Sequence, residues 1–158
     1  MSMYNEKVVD NLHNGGFMIR DINKQDVDKV MELWLNTNMA AHSFIESEYW
    51  ISNYENVREM MMEAIIFVYE VNDEIQGFIG LMDNYIAGIF VSKQSQSKGI
   101  GKKLLDYVKN EKDALTLSVY KENERAVNFY LRESFVPVEE SIDENTGKLE
   151  LKMSWVRN

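Results

Sequence analysis

Gln96-Ser97-Lys98-Gly99-Ile100-Gly101 lies between an apolar, strand-like run over residues 85–91 and a helical run over 102–110. A strand, a short glycine loop and a helix make an anion-binding device. Glycines let backbone N–H groups come close to an anion, and the first turn of a helix offers unpaired donors with a favourable dipole. The expected ligand is a phosphate or pyrophosphate. A dinucleotide fingerprint needs a third glycine where Leu104 stands, and a P-loop needs glycine at Gln96 and serine or threonine at Lys103. Neither pattern fits.

Upstream, Phe17-Met18-Ile19-Arg20 reads as a first strand after Gly15-Gly16. Residues 1–17 read as an N-terminal extension, with Met18 as an alternative start and a short amphipathic piece around Val8, Val9 and Leu12. A single domain is expected over 18–158. Asn23 is the expected N-cap of a helix, with Asp26 at N3. Val27, Val30, Met31, Trp34 and Leu35 follow at the i, i+3, i+4, i+7, i+8 spacing of one buried stripe. Residues 36–44 read as a polar break, and a second helix is expected over about 48–62, with Trp50, Ile51, Tyr54, Val57 and Met61 on a face and Met60-Met61-Met62 filling core gaps.

From Ile65 the pattern turns to strands. Residues 65–71 and 75–82 flank Asn72-Asp73 as a hairpin, and Asp83-Asn84 leads to 85–91. After the loop and its helix come a strand over 114–120 and a helix capped by Asn123. Two strands over 135–140 and 149–155 complete the chain, with Pro137 suited to an edge. The order βααβββαβαββ predicts an α/β (α+β) fold: a mixed, largely antiparallel sheet of about seven strands covered by about four helices.

Composition bounds the function. A chain of 158 residues is one domain by length and can bury a sizeable core. It has no cysteine, which excludes disulfides, thiolate metal sites and a cysteine nucleophile and fits a cytoplasmic location. No apolar run approaches the roughly 20 residues that span a bilayer, and the N-terminus has no secretion signal. The net charge of −9 disfavours nucleic acid and favours a cationic substrate, although a solvated acidic surface accounts for the same number. Two histidines and no clustered ligand motif argue against a metal enzyme, and the absence of a Gly-x-Ser-x-Gly elbow argues against a serine hydrolase.

What does fit the glycine loop is Gln/Arg-x-x-Gly-x-Gly/Ala after a strand and before a helix. This resembles the acetyl-coenzyme A loop of the GNAT superfamily of N-acetyltransferases. The strand Ile86-Ala87-Gly88-Ile89-Phe90-Val91 stands at the family's distance before it. Downstream, Leu117-Ser118-Val119-Tyr120-x-x-Asn123-x-x-Ala126-x-x-Phe129-Tyr130 is similar to the family's second landmark. Leu33-Trp34-Leu35, His42-x-Phe44-Ile45 and Tyr49-Trp50 further resemble small bacterial members related to protein lysine acetyltransferases.

The resemblance implies acetyl-coenzyme A as cosubstrate, with no metal, and an amine acceptor, either a small molecule or a protein lysine, attacked directly in a ternary complex. It implies strands splayed around Ile89–Val91 and Leu117–Val119, with the pantetheine arm in the gap on backbone groups of Ile89 and Val91. The amide of Phe90 or Val91 would be the oxyanion donor. Amides of Gln96, Ser97, Lys98, Gly99, Ile100, Gly101 and Lys102 would hold the pyrophosphate, with Lys98 or Lys102 adding charge. Asn123 would cap its helix and bond the cofactor arm. Tyr130 would be the general acid to the leaving thiolate. His42, in the polar break, is a candidate base or acceptor-site residue, with Glu46, Glu48, Asp83 or a water chain as alternatives. Ser134 stands where the family commonly has a glycine of positive φ. An alternative reading is a non-catalytic module that senses acetyl-coenzyme A or an acylated ligand; monomer and homodimer are both open.

Overall fold

The computed structural model describes residues 16–158. The amphipathic piece expected around Val8, Val9 and Leu12 lies outside them. The chain forms β1 (Phe17–Asp21), α1 (Val27–Ala41), α2 (Ser47–Met61), β2 (Ile65–Val71), β3 (Glu74–Met82), β4 (Tyr85–Val91), α3 (Ile100–Lys109), β5 (Ala114–Tyr120), α4 (Glu124–Arg132), β6 (Val136–Ile142) and β7 (Leu149–Val156). This is the order expected from the sequence. The strands make one sheet in the order β1-β2-β3-β4-β5-β7-β6. Every neighbouring pair is antiparallel except β4 and β5, which run parallel.

Both faces of the sheet are covered, so the central strands read as continuous apolar runs rather than alternating ones. In β2, Phe67 and Tyr69 pack with Leu104, Leu105 and Val108 of α3, while Ile66 and Val68 pack with Val30, Met31 and Trp34 of α1 and Trp50 of α2. Asn72 and Asp73 turn the first hairpin with φ of 50° and 65°, a left-handed pair that these two residue types tolerate. Strand β6 is exposed along its whole length and lies at the sheet edge, with Pro137 beside a register irregularity, both places that tolerate proline.

Two local expectations need correction, and that of Asn23 as N-cap with Asp26 at N3 holds with a refinement. The polar break does not begin at Asn36: α1 runs on to Ala41. Thr37 Oγ1 donates to Leu33 O at 2.6 Å and Asn38 Nδ2 to Trp34 O at 2.9 Å, so these polar side chains bond back onto the helix they were expected to end. Asn23 caps a short 3-10 turn (Lys24–Asp26) that feeds α1, in a capping box with Asp26. Finally, Ile51, Met60 and Met62 are 50%, 53% and 73% exposed, leaving Met61 as the methionine of that run that packs on the core.

The feature that positions the site is a break in the sheet. The β3–β4 register shifts between Gly80 and Leu81, pairing Gly80 with Gly88 and Leu81 with Ile86, so Ala87 has no partner. Such a bulge bends a strand and increases its twist. β4 pairs with β5 only at Tyr85–Thr116 and Ile86–Leu117. Beyond Ile86 the two parallel strands diverge, which is the expected splay. After α4, Ser134 adopts a φ of +72°, the conformation expected at that position, and a non-glycine residue there costs about 1 kcal/mol.

Candidate functional site

The gap between β4 and β5 exposes one edge of β4, and hydrogen-bond alternation says which residues face it. Ser92 N–H donates to Gln76 O at 2.8 Å, so Ser92 points toward β3. Backbone groups alternate along an antiparallel ladder. Phe90 therefore bonds toward β3, while the N–H and C=O of Ile89 and Val91 turn into the gap. Gln96 confirms the phase: its Nε2 donates to Val91 O at 3.0 Å from the gap side. Of the two oxyanion donors open to the sequence, Val91 is the one whose amide faces the gap.

The glycine loop closes one end. Ser97 and Gly99 both have positive φ, 65° and 81°, and Gly99 is the N-cap of α3. A left-handed residue there turns the chain sharply into the helix, and no side chain caps the helix start. The first intrahelical bond is made by Lys103 N–H to Gly99 O, so the amides of Ile100, Gly101 and Lys102 remain as donors at the positive end of the dipole. A Cβ on Gly101 would stand 3.5 Å from the Phe129 ring, an ordinary contact. Lys102 pairs with Glu133 at 3.1 Å and Asp106 at 3.3 Å.

Arg125, on the first turn of α4, reaches across to the same loop. Its Nη1 donates to Gln96 Oε1 at 2.7 Å and its Nη2 to Ser97 Oγ at 3.0 Å. Among the described residues it makes no ion pair. Arg125 is not among the candidate residues legible in the sequence. The signal was a cation two positions after the Asn123 cap, but nothing local says that it folds over a loop 28 residues away.

On the other side, Tyr130 is 7% exposed and packs edge-on against Phe129 and Phe135, with ring centroids 5.2 and 5.5 Å away. Burial pushes its phenol well above the ordinary value, with Tyr85 a smaller cause. Asn123 caps α4, its Oδ1 accepting from Ala126 N–H at 3.2 Å. Its Nδ2 meets His42 Nε2 at 3.1 Å. His42 lies among Trp50, Phe44 and Tyr120, stacked on the first at 5.3 Å and edge-on to the others. Tyr120 Oη donates to Asp143 Oδ2 at 2.5 Å, and burial followed by Asp143 raises the Tyr120 phenol far above its ordinary range. Burial, reinforced by Asp143, also raises the Glu150 carboxyl. The α1–α2 loop and the β6–β7 hairpin, two segments far apart in sequence, thus meet beside the gap.

The end of β4, the glycine loop with the start of α3, the end of α1 and one side of α4 line one cleft of about 730 Å³, within the range of small-molecule sites. Its walls include His42, Ile89, Phe90, Val91, Gln96, Ser97, Gly99, Ile100, Gly101, Lys102, Asn123 and Tyr130. Lys98 is exposed and outside the lining, as are Glu46, Glu48 and Asp83. Among the described residues no group of three or more His, Asp or Glu side chains is placed to hold a metal ion, and no helix is long and apolar enough to cross a membrane.

Comparison with known proteins agrees with this geometry. The model of the acetyltransferase (GNAT) domain matches residues 20–156. The chain is 32% identical over 140 residues to the peptidyl-lysine N-acetyltransferase YiaC of Escherichia coli, covering 87% of this chain and 96% of that one. Among solved structures, apo YjaB from Escherichia coli superposes with a TM-score of 0.79 at 24% identity, over 90% of this chain and 99% of that one. YncA from Salmonella typhimurium, a putative acetyltransferase solved with its cofactor acetyl-CoA, superposes at 0.62 with 15% identity, over 90% of this chain and 94% of that one.

Proposed function

This chain belongs to the acetyltransferase (GNAT) domain family, and from that premise we propose that it transfers an acetyl group from acetyl-coenzyme A directly to a primary amine of the lysine type. The observation that carries the reading is convergence. A free backbone edge, an uncapped helix N-terminus and a buried phenol open into one cleft. The glycine loop and the Ile89 and Val91 edge fit a pyrophosphate joined to an amide-bearing arm: the first lacks side chains where an anion must approach, and the second offers alternating donors and acceptors. When bound, the thioester supplies the activated acetyl group.

The chain's own residues do the rest. Amides of Ile100, Gly101 and Lys102 receive the diphosphate charge, and Gln96, Ser97 and Gly99 shape the loop that presents them. The Val91 N–H faces the gap as a donor to an oxygen that gains charge. Tyr130 holds its proton because burial disfavours the phenolate, so it remains a donor to sulfur throughout the neutral range. Asp143 and Glu150, beside the rings of Tyr49 and Tyr120, give the acceptor side negative charge and aromatic faces, a setting that favours a cationic amine. The lysine-directed activity of the YiaC relative supports the same acceptor class.

Arg125 is assigned a cofactor-binding role on charge and position: a guanidinium with only neutral partners, held over an anion-binding loop. Arg125→Ala is expected to weaken acetyl-coenzyme A binding about tenfold, the worth of one charge-assisted contact, and to flatten the salt dependence of binding. Calorimetry at two salt concentrations checks it, and unchanged affinity at low salt refutes it.

The function itself is tested by incubating the full chain with acetyl-coenzyme A and three acceptors: a lysine-bearing peptide, a polyamine and an aromatic amine. Amine-dependent thiol release, greatest with the peptide, is the expected result. Tight binding of acetyl-coenzyme A with no release on any amine would instead establish a sensor module.

A further inference from the structure

We propose that His42 is a positioning residue, not the base: its imidazole accepts from Asn123 and donates to Asn38, locking the end of α1 to the N-cap of α4 in a single tautomer. The inference rests on the acetyl-transfer reading only in that α4 carries Tyr130 two turns beyond Asn123.

The proton arrangement follows from the partners. Asn123 Oδ1 accepts from Ala126 N–H at 3.2 Å, so the cap bond sets which end of the amide is oxygen. The nitrogen, which has only hydrogens to offer, lies 3.1 Å from His42 Nε2. Nε2 must therefore present its lone pair. The proton of the neutral ring then belongs to Nδ1, and Nδ1 lies 3.1 Å from Asn38 O, an atom that can only accept. The two ends demand the same tautomer. The anchor is firm: Asn38 is 5% exposed, its side chain bonds to Trp34 O, and its carbonyl also accepts the His42 backbone N–H at 3.0 Å. The ring is stacked on Trp50 at an interplanar angle of 27°.

A base needs a free lone pair, and here the lone pair is occupied. A proton taken up at Nε2 would face the Asn123 N–H and break the joint. The groups around the ring do not supply a charge that would favour that proton. Asn38 of α1 and Asn123 of α4 do not titrate. Tyr49 of α2 and Tyr120 of β5 are phenols raised above their ordinary value, the second bonded to Asp143 of the β6–β7 hairpin. Glu46 and Glu48 are exposed. Burial lowers the His42 pKa below its ordinary 6.5, with the Asn38 carbonyl opposing, so the neutral ring persists at neutral pH and the lock opens only as pH falls below that value.

Two measurements on the full chain decide the matter. A long-range proton–nitrogen spectrum of nitrogen-15-labelled protein has only two histidines to resolve. His42 should appear as the neutral Nδ1–H tautomer at pH 7.5. An Nε2–H tautomer or an imidazolium there overturns the proposal, whether or not any amine is acetylated. The second measurement compares His42→Gln, whose amide oxygen can accept from Asn123, with His42→Ala. The lock predicts kcat/KM within about threefold of wild type for glutamine and about tenfold down for alanine, the loss of one acceptor. A general base predicts that both fall about 100-fold or more. Equal rates in the two variants, at any level, overturn the lock. Should the alanine variant fail to fold, the glutamine variant and the spectrum still decide.

Discussion

Tyr130→Phe is expected to lower kcat for acetyl transfer about 100-fold, the low end of what a positioned general acid contributes, while acetyl-coenzyme A affinity stays within about threefold. The separation is expected because the substitution removes one O–H and little else. The ring keeps its contacts with Phe129 and Phe135, and the hydroxyl makes no hydrogen bond to another described residue. Stability should change by no more than about 0.5 kcal/mol, since no buried partner is left unpaired. The raised phenol adds a pH signature. A group whose proton is held above its ordinary range remains an acid as pH rises, so the wild-type rate should show no alkaline decline below about pH 10 from this residue. Steady-state kinetics and calorimetry on the same preparation check both halves. A kcat within about threefold of wild type removes Tyr130 from the mechanism, and a parallel collapse of cofactor affinity makes it a packing residue.

Gly101→Glu is expected to weaken acetyl-coenzyme A binding at least about 100-fold, because a carboxylate placed against a diphosphate costs several kcal/mol. Gly101→Ala should be close to neutral. An added Cβ meets the Phe129 ring at 3.5 Å and Ile89 Cγ2 at 3.8 Å, both ordinary contacts, and the amide donors stay in place. The pair therefore separates charge from shape. Gly99 behaves differently. Its φ of +81° penalises any side chain, although a Cβ there meets nothing within 4 Å. Gly99→Ala should cost about 1 kcal/mol of stability and retain cofactor binding, whereas Gly99→Glu should lose binding as Gly101→Glu does. Affinities measured with matched thermal melts check this series. Normal affinity in both glutamate variants dismisses the loop as the diphosphate site.

Much of this was legible because the signals are local. The β-branched and aromatic runs at 65–71, 85–91 and 114–120 became strands with those bounds, and the glycine loop became the start of α3. Asn123 capped α4 as its residue type predicts. The failures were local signals overruled by their surroundings. Thr37 and Asn38 look like helix breakers, yet both stay helical, their side chains bonded to carbonyls of the preceding turn. Ile51 fits the apolar spacing of α2 but stands at its margin, where the core does not reach.

The site divides along the same line. By itself, the sequence determined the glycine loop that starts α3, the strand before it and the helix that Asn123 caps, because each is a contiguous pattern whose physics acts over a few residues. Only the tertiary structure decided that Val91 rather than Phe90 faces the gap, since that depends on the ladder phase set by a bond from Ser92 to Gln76. It also decided that Arg125 lies over the loop, that Tyr120 meets Asp143, and that His42 meets an asparagine 81 residues away. Those are contacts between segments that meet only once the sheet has formed, and no spacing in the chain records them.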